Sequence, residues 1–144
     1  MSINQEQEAP SIPDTILFVA YGTLRKGESL HDWIADSIVN DLGPVVIKGA
    51  KLYFSEGHNY YPVLVWSGSI ADKAVGELYE LDLNNNTLAM LRMEINAGYT
   101  LNEASVETPN GELLEATVCA WKYEHGKEVP NNDWCSVETK EWWK

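Results

Sequence analysis

Two short segments carry residues whose types and spacing allow chemistry. The first is Phe18-Val19-Ala20-Tyr21-Gly22-Thr23-Leu24-Arg25-Lys26-Gly27, an apolar run that breaks into a turn. Backbone N–H groups just past a strand end can form an anion-binding nest, and glycine lets a ligand approach the main chain closely. The second is Leu91-Arg92-Met93-Glu94-Ile95-Asn96-Ala97-Gly98-Tyr99. Glu94 lies one turn beyond Met90 and Leu91, at the border of an apolar face. A carboxylate desolvated there has its pKa raised toward the working range of a general base. Each segment also has an ordinary reading. The first is an unremarked strand-to-loop exit. The second is a solvated helix Glu, one of 22 acidic residues.

Other chemistry finds little support. His31, His58 and His125 have no His partner at i+2 or i+4 and no nearby Cys ligands, which argues against a zinc site. Cys119 and Cys135 lie too far apart for a zinc pair and read as two reduced thiols. The chain has no G-x-S-x-G elbow, no phosphate-binding G-x-x-x-x-G-K-[ST] loop and no G-x-G-x-x-G.

The elements that must position these segments follow from pattern. Residues 1–14 are polar and acidic with Pro10 and Pro13, and read as a loose arm. Ile16 to Ala20 is a short continuous apolar run, expected to be a strand buried on both faces. Leu30, Trp33, Ile34 and Ile38 recur at helical spacing, so a helix is expected over 30–39, capped by Ser29. Strands are expected over 45–54, 60–66 (Pro62 marking an edge or bulge), 74–81, 99–107 and 114–123. Asn110-Gly111 marks a hairpin between the last two. A helix begins in the polar cluster 82–86, presents Leu88, Leu91 and Ile95 on one face, and stops at Gly98. Six strands not alternating with helices point to an α+β domain with a small, mixed, curved or closed barrel of about six strands and two to three helices. The expected organisation is an arm over 1–14, a domain over 15–124 and a tail over 125–144. That tail, with Trp134, Trp142 and Trp143, packs back on the body or serves as an interaction surface.

The chain of 144 residues holds 10 Lys+Arg against 22 Asp+Glu, a net charge of −12. Such acidity argues against nucleic acid and anionic membrane surfaces, which need a basic patch. The N-terminus has no signal-peptide pattern, and no stretch is apolar enough for a membrane helix. A cytoplasmic protein is expected.

Taken together, the two chemical segments resemble the γ-glutamylcyclotransferase-like superfamily, and most closely the γ-glutamylamine cyclotransferases and AIG2-like proteins. The Tyr21-Gly22-Thr23-Leu24 loop after the first strand matches the family signature. So do Tyr61-Pro62 in a middle strand, Val75-Gly76-Glu77-Leu78-Tyr79 with a one-residue difference, and a helix ending in Glu94 with Tyr99 shortly after. All four stand in order over residues 16–123. The chain departs from the family in having Arg92 where Asp is frequent, Ile95 where Gly is frequent, and Thr100 and Leu101 where an Arg is common. The resemblance implies an enzyme that cyclises a γ-glutamyl amine or peptide, releasing 5-oxoproline and a free amine without cofactor or metal. It implies Glu94 as general acid/base and the loop Tyr21, Gly22, Thr23 and Leu24 as substrate-binding. Tyr99 orients Glu94 or lines the pocket, and Tyr61 and Tyr79 are wall residues or core. Arg25 is a candidate anchor for a substrate carboxylate. The only partner implied is the small-molecule γ-glutamyl substrate, with the protein a monomer. The alternative is a non-catalytic module binding a small carboxylate or γ-glutamyl ligand on the same fold.

Overall fold

The computed structural model describes residues 14–54, 61–122 and 126–136. Among these described residues, eight strands and two α-helices follow in the order β1 (Thr15–Ala20), α1 (Asp32–Ala35), β2 (Ile38–Lys48), β3 (Ala50–Phe54), β4 (Pro62–Trp66), β5 (Lys73–Asp82), α2 (Asn85–Ala97), β6 (Thr100–Glu107), β7 (Leu113–Ala120) and β8 (Lys127–Glu128). Two short 3₁₀ turns, Pro130–Asn132 and Trp134–Ser136, come last. A closed barrel runs β1-β5-β2-β6-β7, and a separate small sheet has the order β4-β3-β8. The barrel therefore has five strands, and the Pro62 strand lies at an edge of the second sheet. The barrel closes through a parallel β1–β7 pairing, with Phe18 opposite Thr117. Every other neighbouring pair is antiparallel.

Alternation along β1 divides the core. Val19 and Tyr21 join Val45, Ile47, Leu78, Val106 and Val118 in one cluster. Phe18 and Ala20 join Ile34, Tyr79, Met90, Tyr99 and Cys119 in the other, between the barrel wall and the helices. Both faces of β1 are thus buried, which explains its continuous apolar run.

Three local expectations are corrected. The helix over 30–39 shrinks to the single turn of α1, which has no side-chain cap at its N-terminus and only Ile34 buried. Ile38 and Val39 instead begin β2, where Ile38 pairs with Leu81. Pairing with a long neighbouring strand outweighs a helical pattern whose Leu30 and Val39 remain exposed. The single strand over 45–54 is two, β2 and β3, because Gly49 at φ 78° turns the chain from one sheet into the other. The inward face of α2 is also rotated from the one expected. Thr87 and Met90 are buried and Leu91 and Glu94 half-buried, an i, i+3, i+4, i+7 set, while Leu88 and Ile95 are exposed. The helix ends themselves follow the pattern. The Asn84 side chain accepts from the Thr87 N–H, and Gly98 closes the C-terminus at φ 115°.

The last described segment packs on the body. Trp134 is buried edge-on against Phe54, and β8 adds to β3. Trp142 and Trp143 lie outside the described residues, as do residues 1–13 of the arm expected over 1–14, His58 and His125. No helix among the described residues is long and apolar enough to cross a membrane.

Candidate active site

The loop after β1 and the last turn of α2 meet at one pocket. Phe18 to Leu24, Pro62, Glu94, Tyr99 and Cys119 line about 320 Å³, part of it open to solvent. Six of the residues singled out from sequence, Tyr21, Gly22, Thr23, Leu24, Glu94 and Tyr99, thus stand around one space. Tyr61 is not among the lining residues. It is half-buried against Tyr99, ring centroids 6.2 Å apart. Tyr79 is fully buried in the core with its hydroxyl on Glu77.

Each wall has a local cause. Gly22 is required by close approach, since a Cβ there would run into the Pro62 ring at its Cγ. The Tyr-Gly loop and the Tyr-Pro strand, forty residues apart in sequence, therefore fit each other directly. The Tyr21 hydroxyl donates to the Cys119 carbonyl at 2.5 Å, pinning the loop to β7. The Tyr99 hydroxyl donates to the Pro62 carbonyl at 2.9 Å, and its ring packs edge-on against Trp121 at 5.0 Å. The loop curls back on itself through Arg25 N–H to the Gly22 carbonyl and Leu30 N–H to the Thr23 carbonyl. His31 Nδ1 lies 2.9 Å from the Leu24 carbonyl. Among the described residues, the N–H groups of Gly22, Thr23 and Leu24 meet no protein acceptor. They are donors available to a ligand.

Glu94 is half-buried, and no cation among the described residues lies within ion-pair distance of it. Burial raises its pKa above the ordinary carboxylate value, and a hydrogen bond from the Cys119 thiol acts in the opposite direction. The thiol is itself pushed up, first by burial and then by the neighbouring Glu94 charge. Burial also raises Tyr99, followed by the Glu94 charge. The pocket thus holds one carboxylate poised to exchange a proton, beside neutral tyrosines and a neutral thiol.

Arg25 does not point a free guanidinium at the pocket. Its side chain is buried, with Nε 3.0 Å from Glu77 and Nη1 2.6 Å from Asp133. Two lining residues, Pro62 and Cys119, were not among the site residues read from sequence, where Pro62 marked a strand edge and a family motif and Cys119 a reduced thiol. Cys119 is buried where Cys135 is exposed. Only the parallel closure of β7 on β1 brings it beneath Glu94, a pairing that leaves no short-range signal. No group of three or more His, Cys, Asp or Glu among the described residues could hold a metal ion.

A small closed barrel with one desolvated carboxylate facing a glycine-bearing strand-exit loop defines the class of protein. The family model described as gamma-glutamyl cyclotransferase, AIG2-like, matches residues 17–136, and the chain belongs to this family. An uncharacterised protein from Pyrococcus horikoshii is 32% identical, with 83% of this chain and 89% of that one covered, at a TM-score of 0.64. An AIG2-like protein from Mus musculus shares the fold at 19% identity, 88% and 86% coverage and a TM-score of 0.61. A gamma-glutamyl cyclotransferase does so at 17% identity, 79% and 70% coverage and a TM-score of 0.62. No protein of curated function matches the chain significantly.

Proposed function

We propose that the protein is a cyclotransferase that converts a γ-glutamyl amine or peptide to 5-oxoproline and a free amine, with Glu94 as general acid/base. The observation that carries this reading is the shared pocket. A carboxylate with a raised pKa and, among the described residues, no cation within ion-pair distance faces Gly22, Thr23 and Leu24, whose N–H groups meet no acceptor among those residues.

The chemistry follows from these groups. The substrate's α-ammonium cannot attack until it loses a proton, which the Glu94 carboxylate takes. The amine nitrogen then bonds to the γ-carbonyl carbon, closing the five-membered ring. The bond from that carbon to the leaving nitrogen breaks as Glu94 returns the proton to it, and the second proton of the ring nitrogen passes through the same carboxylate to the departing amine, leaving a lactam N–H and a free ammonium. No water is consumed. Holding nucleophile and carbonyl in one folded conformation gives effective molarities of about 10⁵–10⁸ M. Positioned proton transfer adds about 10²–10⁴-fold. The Gly22, Thr23 and Leu24 N–H groups bind the γ-glutamyl moiety and stabilise developing charge on its oxygen.

The departures from the family pattern lie away from this chemistry. Arg92, Ile95, Thr100 and Leu101 are all exposed and none lines the pocket. This favours turnover over a binding-only role. The test is 5-oxoproline release from γ-glutamyl amines, γ-glutamyl dipeptides, γ-glutamyl-lysine and glutathione. Release from at least one is expected. Saturable binding of these compounds with no 5-oxoproline formed would replace the enzyme with a binding module.

A further inference from the structure

We propose that Arg25 and Asp133 are positioning residues: the segment 127–136 is a clamp that holds the site loop in its binding geometry. The inference rests on the reading of residues 21–24 as substrate-binding.

Arg25 directly follows the pocket-lining Leu24, and its N–H closes the loop on the Gly22 carbonyl at 3.0 Å. Its guanidinium bridges two elements distant in sequence. Glu77 on β5 takes Nε, and Asp133, between the two 3₁₀ turns, takes Nη1. Glu77 extends the hold, accepting the Lys26 N–H at 2.8 Å and the Tyr79 hydroxyl at 2.6 Å. A second contact joins the same two segments, from Trp134 Nε1 to the Glu28 carboxylate at 3.1 Å.

The clamp is itself anchored. The Asn132 side chain accepts from the Leu52 N–H and donates to the Ala50 carbonyl, standing in for a strand partner along β3. The buried indole of Trp134 fills the core beside Phe54. Asp133 is therefore fixed from behind and presents its carboxylate to Arg25. A planar guanidinium held by two carboxylates has one orientation available, unlike a lysine ammonium. The loop backbone one residue away inherits that constraint. A buried Arg directly after a ligand-binding turn thus sets the turn's position without touching a ligand.

Asp133→Asn keeps the side chain's shape and removes its charge. Amide hydrogen exchange in the full chain, wild type against variant, is the primary readout. The Arg25, Lys26 and Leu30 amides are expected to exchange on the order of tenfold faster, while β6 and β7 amides keep their protection. In steady-state kinetics on the best γ-glutamyl substrate, KM is expected to rise on the order of tenfold with kcat less affected. Arg25→Lys is expected to behave like Asp133→Asn, because an ammonium cannot bridge both carboxylates in one plane. Unchanged exchange at those three amides overturns the clamp. So does acceleration matched in β6 and β7, which marks global loosening, or an unchanged KM with only the active fraction reduced. Exchange decides the clamp whether or not the wild type turns over. Absence of turnover in the wild type is failure of the proposed function alone.

Discussion

Glu94 and Glu77 are both half-buried carboxylates on the periphery of one barrel, yet they are tuned in opposite directions. Burial disfavours the charged form of each. Among the described residues Glu94 gains a thiol hydrogen bond and no cation, and it stays above the ordinary value. Glu77 gains the Tyr79 hydroxyl, the Lys26 N–H and the Arg25 guanidinium, which together outweigh burial and hold it below. Partners, not depth, decide the sign. The carboxylate left without a cation faces the pocket, and the fully satisfied one holds the framework around it.

The sharpest way to break this contrast is Glu94→Gln. A loss of turnover of about 10²–10⁴-fold is expected, measured as 5-oxoproline release. Stability should move the other way. A carboxyl whose folded-state pKa is raised favours folding below its ordinary pKa and loses that advantage as pH rises through the folded value. Glu94→Gln removes a carboxyl whose burial disfavours its charged form, so at neutral pH the variant should melt at the same temperature or higher. Full activity in the variant would remove Glu94 from the mechanism.

Glu77→Gln should show the reverse balance. It leaves Arg25 with one charged partner and is expected to cost about 2 kcal/mol in denaturant unfolding. Because Glu77 is held below its ordinary value of 4.5, its contribution is present above that pH. It is lost as pH falls through the lower folded value. The wild type should therefore weaken on acidification through this window more steeply than the variant. Equal acid sensitivity would mean that Glu77 is not depressed.

The smallest effect is expected from Cys119→Ala. Removing the thiol bond that lowers Glu94 should move the acid limb of kcat/KM slightly to higher pH. Cys119→Ser keeps a donor and should leave the limb in place. An unmoved limb in both would mean that the thiol does not tune Glu94.

Much of this was legible in the sequence where the signal is local. The continuous run at 16–20, the Asn-Gly hairpin, the helix start in the polar cluster 82–86 and the Gly98 stop depend on neighbours a few residues away. The α+β class follows from the order of such segments. Legibility failed where distant partners compete. The helical stripe at 30–39 lost to pairing with β5. On α2 the apolar positions at 88 and 95 stayed outside, because barrel contacts selected the face that carries Met90 and Glu94. Arg25 read as a candidate ligand anchor because nothing nearby announces Glu77 and Asp133.

What the sequence by itself determined is the set of reactive parts: one strand-exit loop with Gly22 and one helix-end carboxylate, in family order. Only the tertiary structure decided what they are worth chemically. Parallel closure of β7 on β1 put Cys119 beside Glu94, and Pro62 made Gly22 the only residue that fits at its position. The segment around Asp133 took Arg25 out of the pocket. The physical reason is that a pKa, a steric limit or an ion pair belongs to groups within a few ångströms in space. Sequence separation, here up to about a hundred residues, leaves no trace of that proximity in local pattern.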